Sequence, residues 1–491
     1  MNNIKKRDLA LITDFYELLM MQGYFEDFEK GKRCATFDVF YRRTPFDNGF
    51  AVFCGLNEII DYIENLKFTE DDIKYLKSLN SFNDEFLKFL KDFKWNGSLY
   101  AFHEGSVIGE REPIIKVKAS LIECQLIESA MLSLFNHETL VATKAYRICE
   151  AARPYKVMEF GLRRAMSFDA GIYGAKAACI AGCIGTSNVL TAKDFDVPAL
   201  GTMAHSWVMT FEDELTAFKS FADLYPDNCI LLVDTYNTLT SGVPNAIKTF
   251  EYMKSKGINS KKYGIRLDSG DLAYLSKEAR IMLDEAGFKD AIICASNDLD
   301  EEVIQALKIQ NAEITLYGIG TKLITGAGST LGGVYKLSSV YDEKENKYIP
   351  KIKISSNSEK ITNPGDKEVY RIYNVEDNKF IADLIALSDE VYDEAFTQNN
   401  DLLIKDEFDD WKKKLLKKGT YKMVKMLNKV FENGKLVYNR RSVKESADYF
   451  NKELATLSED NKRLVYPKKL YVDISDKLYN IKYKILEEHY K

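Results

Sequence analysis

A histidine set among small residues, just past a short apolar run, is the first place in this chain where chemistry can be done. The run is Val197-Pro198-Ala199-Leu200-Gly201-Thr202-Met203-Ala204-His205-Ser206-Trp207, and His205 is one of only four histidines. An imidazole so placed can move a proton or act as a nucleophile. The others, His103, His137 and His489, are dispersed and give no metal-ligand spacing such as HExxH. Eight cysteines are also scattered, and the closest pair, Cys179 and Cys183, falls on a predicted helix rather than in a zinc knuckle. Reduced, mostly buried thiols are the expectation.

Carboxylates and cations gather at other turns. Ile265-Arg266-Leu267-Asp268-Ser269-Gly270-Asp271 places a guanidinium and two carboxylates around a strand-to-helix turn. Arg266 can grip a carboxylate or phosphate bidentately, and Asp268 can hold ribose hydroxyls or a magnesium ion. The plainer reading is an internal ion pair of Arg266 with Asp268 or Asp271, with Asp271 starting the helix. Asp234, in Leu232-Val233-Asp234-Thr235-Tyr236-Asn237, is a second strand-end carboxylate or a simple helix cap. Glu159-Phe160-Gly161-Leu162-Arg163-Arg164 offers a ring to stack a planar heterocycle and guanidiniums for anionic groups, unless Phe160 is core and Arg164 solvated. Gly185-Thr186-Ser187-Asn188 brings hydroxyls to a helix start, as a cap or a ligand contact. Leu316-Tyr317-Gly318-Ile319-Gly320-Thr321-Lys322, followed by Gly326, Gly328, Gly332 and Gly333, can turn backbone amides toward phosphates. Its spacing fits neither GxGxxG nor Walker A.

These groups need a frame, and the sequence supplies one by alternation. From Val157 to Leu337, short runs apolar on both faces alternate with longer amphipathic stretches, which predicts parallel strands covered by helices. The strands are read at 156–160, 197–200, 230–233, 263–267, 291–294 and 314–317. Helices over 243–256 and 271–286 stop at Gly257 and Gly287. Asp298 is read as the next cap, with Glu301 as its capping-box partner. Gly161, Gly201, Asp234, Asp268, Ser296 and Gly318 fall at the C-terminal strand ends, where barrel active sites assemble.

The expected architecture is α/β: an irregular TIM-like barrel over residues 121–346, an N-terminal α/β domain over 1–120 and an appended C-terminal region over 347–491 packing on both. A chain of 491 residues is too long for one ordinary core. Its net charge of −6 argues against broad nucleic-acid or anionic-membrane binding, without excluding small basic pockets. No signal-peptide pattern and no apolar run of spanning length is found, so a cytoplasmic location is expected.

Taken in order, LITDFYELLMMQGYF, FDVFYRRTPFDNGFAVFCG, EFGLRRA, GTSNVL, GTMAHSW, VDTYNT, IRLDSGD and YGIGTK…LGGVYKL resemble the nicotinate phosphoribosyltransferase family over nearly the whole chain. The resemblance implies a type II phosphoribosyltransferase acting as a homodimer with shared active sites. It implies that Tyr16 reaches across the dimer to sandwich the pyridine against Phe160, and that Arg163 and Arg266 supply positive charge. Ser187, Gly201 and Thr202 would line the base site, and Asp234 and Asp268 would hold phosphoribose or magnesium. Gly318, Gly320 and Thr321 would form the phosphate cradle, with Arg42 and Lys336 near the diphosphate or ATP.

The implied activity is ATP-coupled synthesis of nicotinate mononucleotide from nicotinate and phosphoribosyl diphosphate, in NAD salvage, with Mg2+ as cofactor and ATP as co-substrate. His205 would be phosphorylated transiently. Nicotinamide-specific relatives carry an aspartate where Ser187 stands, and a carboxylate there would repel nicotinate, so the acid is the expected substrate. Alternatives are the same chemistry on nicotinamide, quinolinate phosphoribosyl transfer, a barrel glycosidase using Asp234 and Asp268, or a non-catalytic nucleotide-binding regulator. No nucleic-acid or membrane partner is expected.

Overall fold

The computed structural model describes residues 7–409 and 411–490. The chain forms two compact units: residues 141–328 are one, and residues 1–140 together with 329–491 are the other.

The 141–328 unit is built on a parallel sheet whose strands in chain order are β1 (Lys156–Glu159), β2 (Cys229–Leu232), β3 (Tyr263–Leu267), β4 (Ile292–Ala295) and β5 (Leu316–Ile319). Their spatial order is β1-β5-β4-β3-β2. The both-face apolarity that predicted them is borne out: all four residues of β2 are buried, and all four of β5. Each large side chain so buried contributes about 2 kcal/mol from area removed from water. Gly264 is fixed by close approach, since a Cβ there would lie 2.1 Å from the Ile292 carbonyl oxygen in the neighbouring strand.

The barrel reading is only partly realised. The run at 197–200 forms no strand; Thr186 bridges Glu159 on one side and Ala199 on the other, each by a single parallel bridge. Pro198 has no N–H to give a ladder, which limits pairing there. Among the described residues the sheet is five strands extended by these two bridges, without a closing ladder.

Helices follow the strands as the punctuation predicts. Val243–Ser255 and Leu272–Glu285 end next to Gly257 and Gly287. Asp271 caps the second through the N–H groups of Ala273 and Tyr274. The next helix, Glu301–Ile309, corrects the reading of Asp298: its cap is Asp300, which accepts from Glu302 and Val303. Lys322 fixes the other oxygen of Asp300 at 2.5 Å, leaving Asp298 free to face the cavity described below.

The other unit holds a seven-stranded and a six-stranded sheet. In the seven-stranded sheet, Cys34–Tyr41 pairs antiparallel with Gly333–Asp342 on one side and Ile115–Ser120 on the other. Asn428–Glu432 pairs with Ser98–Ala101 in the same sheet. The division therefore differs from the expected boundaries at 120 and 346, because pairing draws Gly333–Asp342 and Asn428–Glu432 into one sheet with the N-terminal strands. The division in the chain between residues 140 and 141 falls within helix Glu128–Ala152. Its companion Leu121–Leu126 starts on a capping box between Ser120 and Glu123. Arg371, fully buried, donates to both oxygens of Asp383 at 2.8 and 2.7 Å and also to Glu453. No described helix is long and apolar enough to cross a membrane.

Candidate active site

The C-terminal ends of β1, β3, β4 and β5 border a cavity of about 430 Å3. Its walls include Phe160, Arg163, Arg164, Ser187, Gly201, Thr202, Arg266, Asp268, Gly318, Gly320 and Thr321. Residues chosen from five separate stretches of sequence thus converge on one opening.

Phe160 follows β1 directly, and its ring lies on Gly318. A Cβ at Gly318 would fall 2.6 Å from the ring edge, so glycine is what lets ring and strand meet. Gly320 is equally constrained, its imagined Cβ lying 2.8 Å from the Phe160 carbonyl oxygen. In the segment bridged alongside Glu159, Asn188 caps helix Val189–Phe195 with its side chain and leaves Ser187 half-buried at the wall. The cap reading thus belongs to Asn188, while Ser187 lines the cavity.

Arg266, in β3, donates to Thr202 Oγ1, and its Nε has no hydrogen-bond partner. The internal ion pair with Asp268 or Asp271 that sequence left open is replaced by this bond. Asp268 accepts the Ser296 hydroxyl on Oδ1. Asp234 is not a helix cap: its Oδ2 accepts the Asp268 backbone N–H at 2.9 Å and the Ser269 hydroxyl at 2.6 Å, while buried Oδ1 has no partner. Two carboxylates ringed by hydroxyls suit a hard divalent cation such as magnesium, which prefers oxygen donors.

His205 begins helix His205–Thr210. Its side chain is 40% exposed, with Nε2 3.8 Å from Asp268 Oδ2 and Nδ1 3.0 Å from Thr235 Oγ1. It stands at the rim rather than in the cavity wall, which its neighbour Ala204 joins. His103 shows the contrast: burial and Arg441 push its pKa down to about 4, and Tyr438 occupies its Nδ1 at 2.7 Å. His489 is exposed near the end of the last helix.

Three expected residues belong to the other unit. Tyr16, in helix Phe15–Asp27, is 51% exposed. Arg42 follows strand Cys34–Tyr41 with a buried, unpartnered Nε. Lys336, in Gly333–Asp342, lies 3.9 Å from Glu128. A larger hollow of about 990 Å3 in that unit is lined by Lys30, Lys32, Lys88, Lys94 and Lys118, of which Lys30 pairs with Glu85 and Lys118 with Asp366.

Sequence reading missed Asn297 and Asp298 as walls of the cavity and Thr235 as the partner of His205. Asn297 has φ of 100°, a left-handed backbone held where the chain leaves β4. Its Ala-Ser-Asn-Asp context after an apolar strand was the available signal.

Comparison with known proteins agrees with this architecture. Models of the nicotinate phosphoribosyltransferase N-terminal and C-terminal domains match residues 11–136 and 366–482. A nicotinate phosphoribosyltransferase of Bacillus subtilis (strain 168) is 44% identical over 485 residues, covering 99% of this chain and 96% of that protein. The chain belongs to the nicotinate phosphoribosyltransferase family. A relative of the same name from Caenorhabditis elegans is 33% identical, over 96% of this chain and 92% of its own. The crystal structure of human nicotinic acid phosphoribosyltransferase superposes with a TM-score of 0.82 at 25% identity, covering 96% of this chain and 99% of that one.

Proposed function

We propose that this protein transfers the phosphoribosyl group of phosphoribosyl diphosphate to nicotinate, with ATP hydrolysis coupled through His205. The observation carrying this reading is the rim histidine 3.8 Å from Asp268, beside the cavity holding Arg266 and the glycine turn. Family membership supports the transferase reading; the coupling rests on the histidine.

The pyridine ring stacks on Phe160, with Ser187 donating to its carboxylate and Arg163 or Arg266 supplying positive charge. Backbone amides at Gly318, Gly320 and Thr321 cradle phosphate. Arg42 and Lys336 are assigned to the diphosphate or ATP. Asp234 and Asp268 would hold Mg2+, which when bound neutralises charge on the departing diphosphate.

With Nδ1–H donated to Thr235, the lone pair of His205 lies on Nε2, the nitrogen 3.8 Å from Asp268 Oδ2, and acts as the nucleophile. It takes the γ-phosphoryl group of ATP, and ADP leaves. The pyridine nitrogen then attacks the anomeric carbon as the bond to diphosphate breaks, giving nicotinate mononucleotide and diphosphate. Asp234 and Asp268 stabilise positive charge developing on the sugar. Water finally attacks the phosphohistidine, releasing phosphate and restoring the imidazole. The product belongs to NAD biosynthesis.

We also assign a homodimer. Met166 and Phe168 are 82% and 68% exposed just beyond the Arg163 turn, and Val189 is 72% exposed beside Ser187. Exposed apolar side chains close in sequence to the cavity residues Arg163 and Ser187 suit a second copy, and Tyr16, in helix Phe15–Asp27, is the residue expected to complete the partner's ring sandwich. The enzyme is placed in the cytoplasm, acting on small molecules rather than nucleic acid or membrane.

A glycosidase finds no support, because Asp234 Oδ2 is engaged by Asp268 and Ser269 rather than poised as an independent acid or base. The test is incubation with nicotinate, phosphoribosyl diphosphate and Mg2+, with and without ATP, and again with nicotinamide. Nicotinate mononucleotide with ADP release and ATP stimulation supports the proposal. Equal use of nicotinamide, or indifference to ATP, overturns the corresponding part.

A further inference from the structure

Glu159 is the last residue of β1, and its side chain is fully buried. Burying a carboxylate is costly, and glutamine or an apolar residue would fill the same space at less cost. Burial accordingly raises its pKa, opposed by hydrogen bonds from Thr186 and Gly161 rather than by a cation.

Those two bonds run in different directions. One oxygen accepts the Gly161 backbone N–H; the other accepts the Thr186 hydroxyl at 2.5 Å. The main chain of Glu159 makes two more links to the Thr186 segment, donating to Gly185 O at 3.0 Å and accepting from Ser187 N–H at 2.9 Å. Thr186 Oγ1 in turn accepts the Asn188 N–H at 2.9 Å, where helix Val189–Phe195 begins. Glycine is required at 161, since a Cβ there would lie 2.4 Å from Ile324 and 2.6 Å from the Glu159 carboxyl oxygen. The segments carrying Phe160 and Ser187 are therefore tied by two main-chain bonds, and the Glu159 carboxyl group adds a side-chain link between Gly161 and Thr186. A carboxylate offers a separate acceptor oxygen to each of the two donors, where a glutamine would turn its NH2 toward one of them.

We propose that Glu159 is a positioning residue for the base site: its carboxylate holds the Phe160 and Ser187 walls at the spacing a flat pyridine carboxylate requires. This rests on assigning Phe160 and Ser187 to nicotinate. Glu159 touches no substrate; loosening it widens the slot without altering the phosphoribosyl diphosphate site.

The experiment is steady-state kinetics on the full-length protein, with KM for nicotinate and for phosphoribosyl diphosphate measured separately. Glu159→Gln turns an amide nitrogen toward one donor, and Thr186→Val removes the donor itself. Both are expected to raise KM for nicotinate by about tenfold, the worth of one charge-assisted hydrogen bond. KM for phosphoribosyl diphosphate stays within about twofold. Thr186→Ser, which keeps the hydroxyl, brings KM for nicotinate back to near wild type, a recovery that a general packing role would not give. Unchanged KM for nicotinate in both variants, or parallel rises in both KM values, overturns the inference. Phe160→Ala separates the two claims. If it raises KM for nicotinate while Glu159→Gln and Thr186→Val do not, the tie alone is wrong; if it has no effect, the base-site assignment fails and the tie with it.

Discussion

Asp234 Oδ2 accepts the backbone N–H of Asp268 at 2.9 Å, so one strand-end carboxylate fixes the loop that carries the other. Replacing it by Asp234→Asn exchanges a charged acceptor for a neutral one without changing volume. A charge-assisted bond of this kind contributes about 1.5–3 kcal/mol, so kcat/KM should fall roughly 10- to 100-fold. The same bonds exist in the folded protein without substrate, so the thermal midpoint should fall as well. Steady-state kinetics beside a thermal melt checks both.

Ser187 decides between acid and amide. Ser187→Asp places a negative charge at the wall assigned to the nicotinate carboxylate, and two like charges about 4 Å apart repel by several kcal/mol in partly screened surroundings. The expected outcome is a loss of about 100-fold or more in kcat/KM for nicotinate. Nicotinamide, whose amide can donate to the new carboxylate, should gain relative to it. Competition between the two bases in one reaction reads the ratio directly.

Glu128 gives the other unit a pH-dependent stability. Burial pushes its carboxyl up to about 7, with Glu17 adding repulsion and Lys336 opposing. The folded state therefore holds this proton more tightly than the unfolded chain. Its contribution is full below the ordinary carboxylate pKa and is lost as pH rises through about 7. Glu128→Gln, which cannot ionise, should be stabilised relative to wild type at pH 8 and not at pH 4. Thermal melts across that range would show the difference opening upward in pH.

Arg371 anchors the six-stranded sheet by its bonds to Asp383 and Glu453, all deeply buried. Arg371→Ala leaves those carboxylates without their cation, a loss of roughly 3–5 kcal/mol. Denaturant unfolding should show a lower midpoint, while any folded fraction keeps its cavity residues in place, since none of them lies in that sheet.

Much of the site was legible because parallel strands announce themselves chemically. Both-face apolar runs gave β1 to β5 within a few residues, and polar or glycine residues at their ends marked the cavity. What was not legible depended on pairing between distant segments. Nothing local in Gly333–Asp342 says that it joins Cys34–Tyr41, so the boundary expected at 346 fell short of the real exchange. Helix caps were ambiguous for a similar reason: Asp298 and Asp300 both suit an N-cap, and Lys322, distant in sequence, holds the second. Glu159 read as part of an aromatic and arginine motif; its role as a tie appears only when Thr186 is brought alongside.

The most direct measurement of the central claim is phosphate on His205. The protein is incubated with ATP labelled in the γ-phosphoryl group and Mg2+, digested, and mapped under alkaline conditions that preserve phosphohistidine. The account predicts acid-labile label on the peptide containing His205, its discharge when nicotinate and phosphoribosyl diphosphate are added, and no label together with no ATP stimulation in His205→Ala. Label on another residue, or full ATP coupling in His205→Ala, would contradict it.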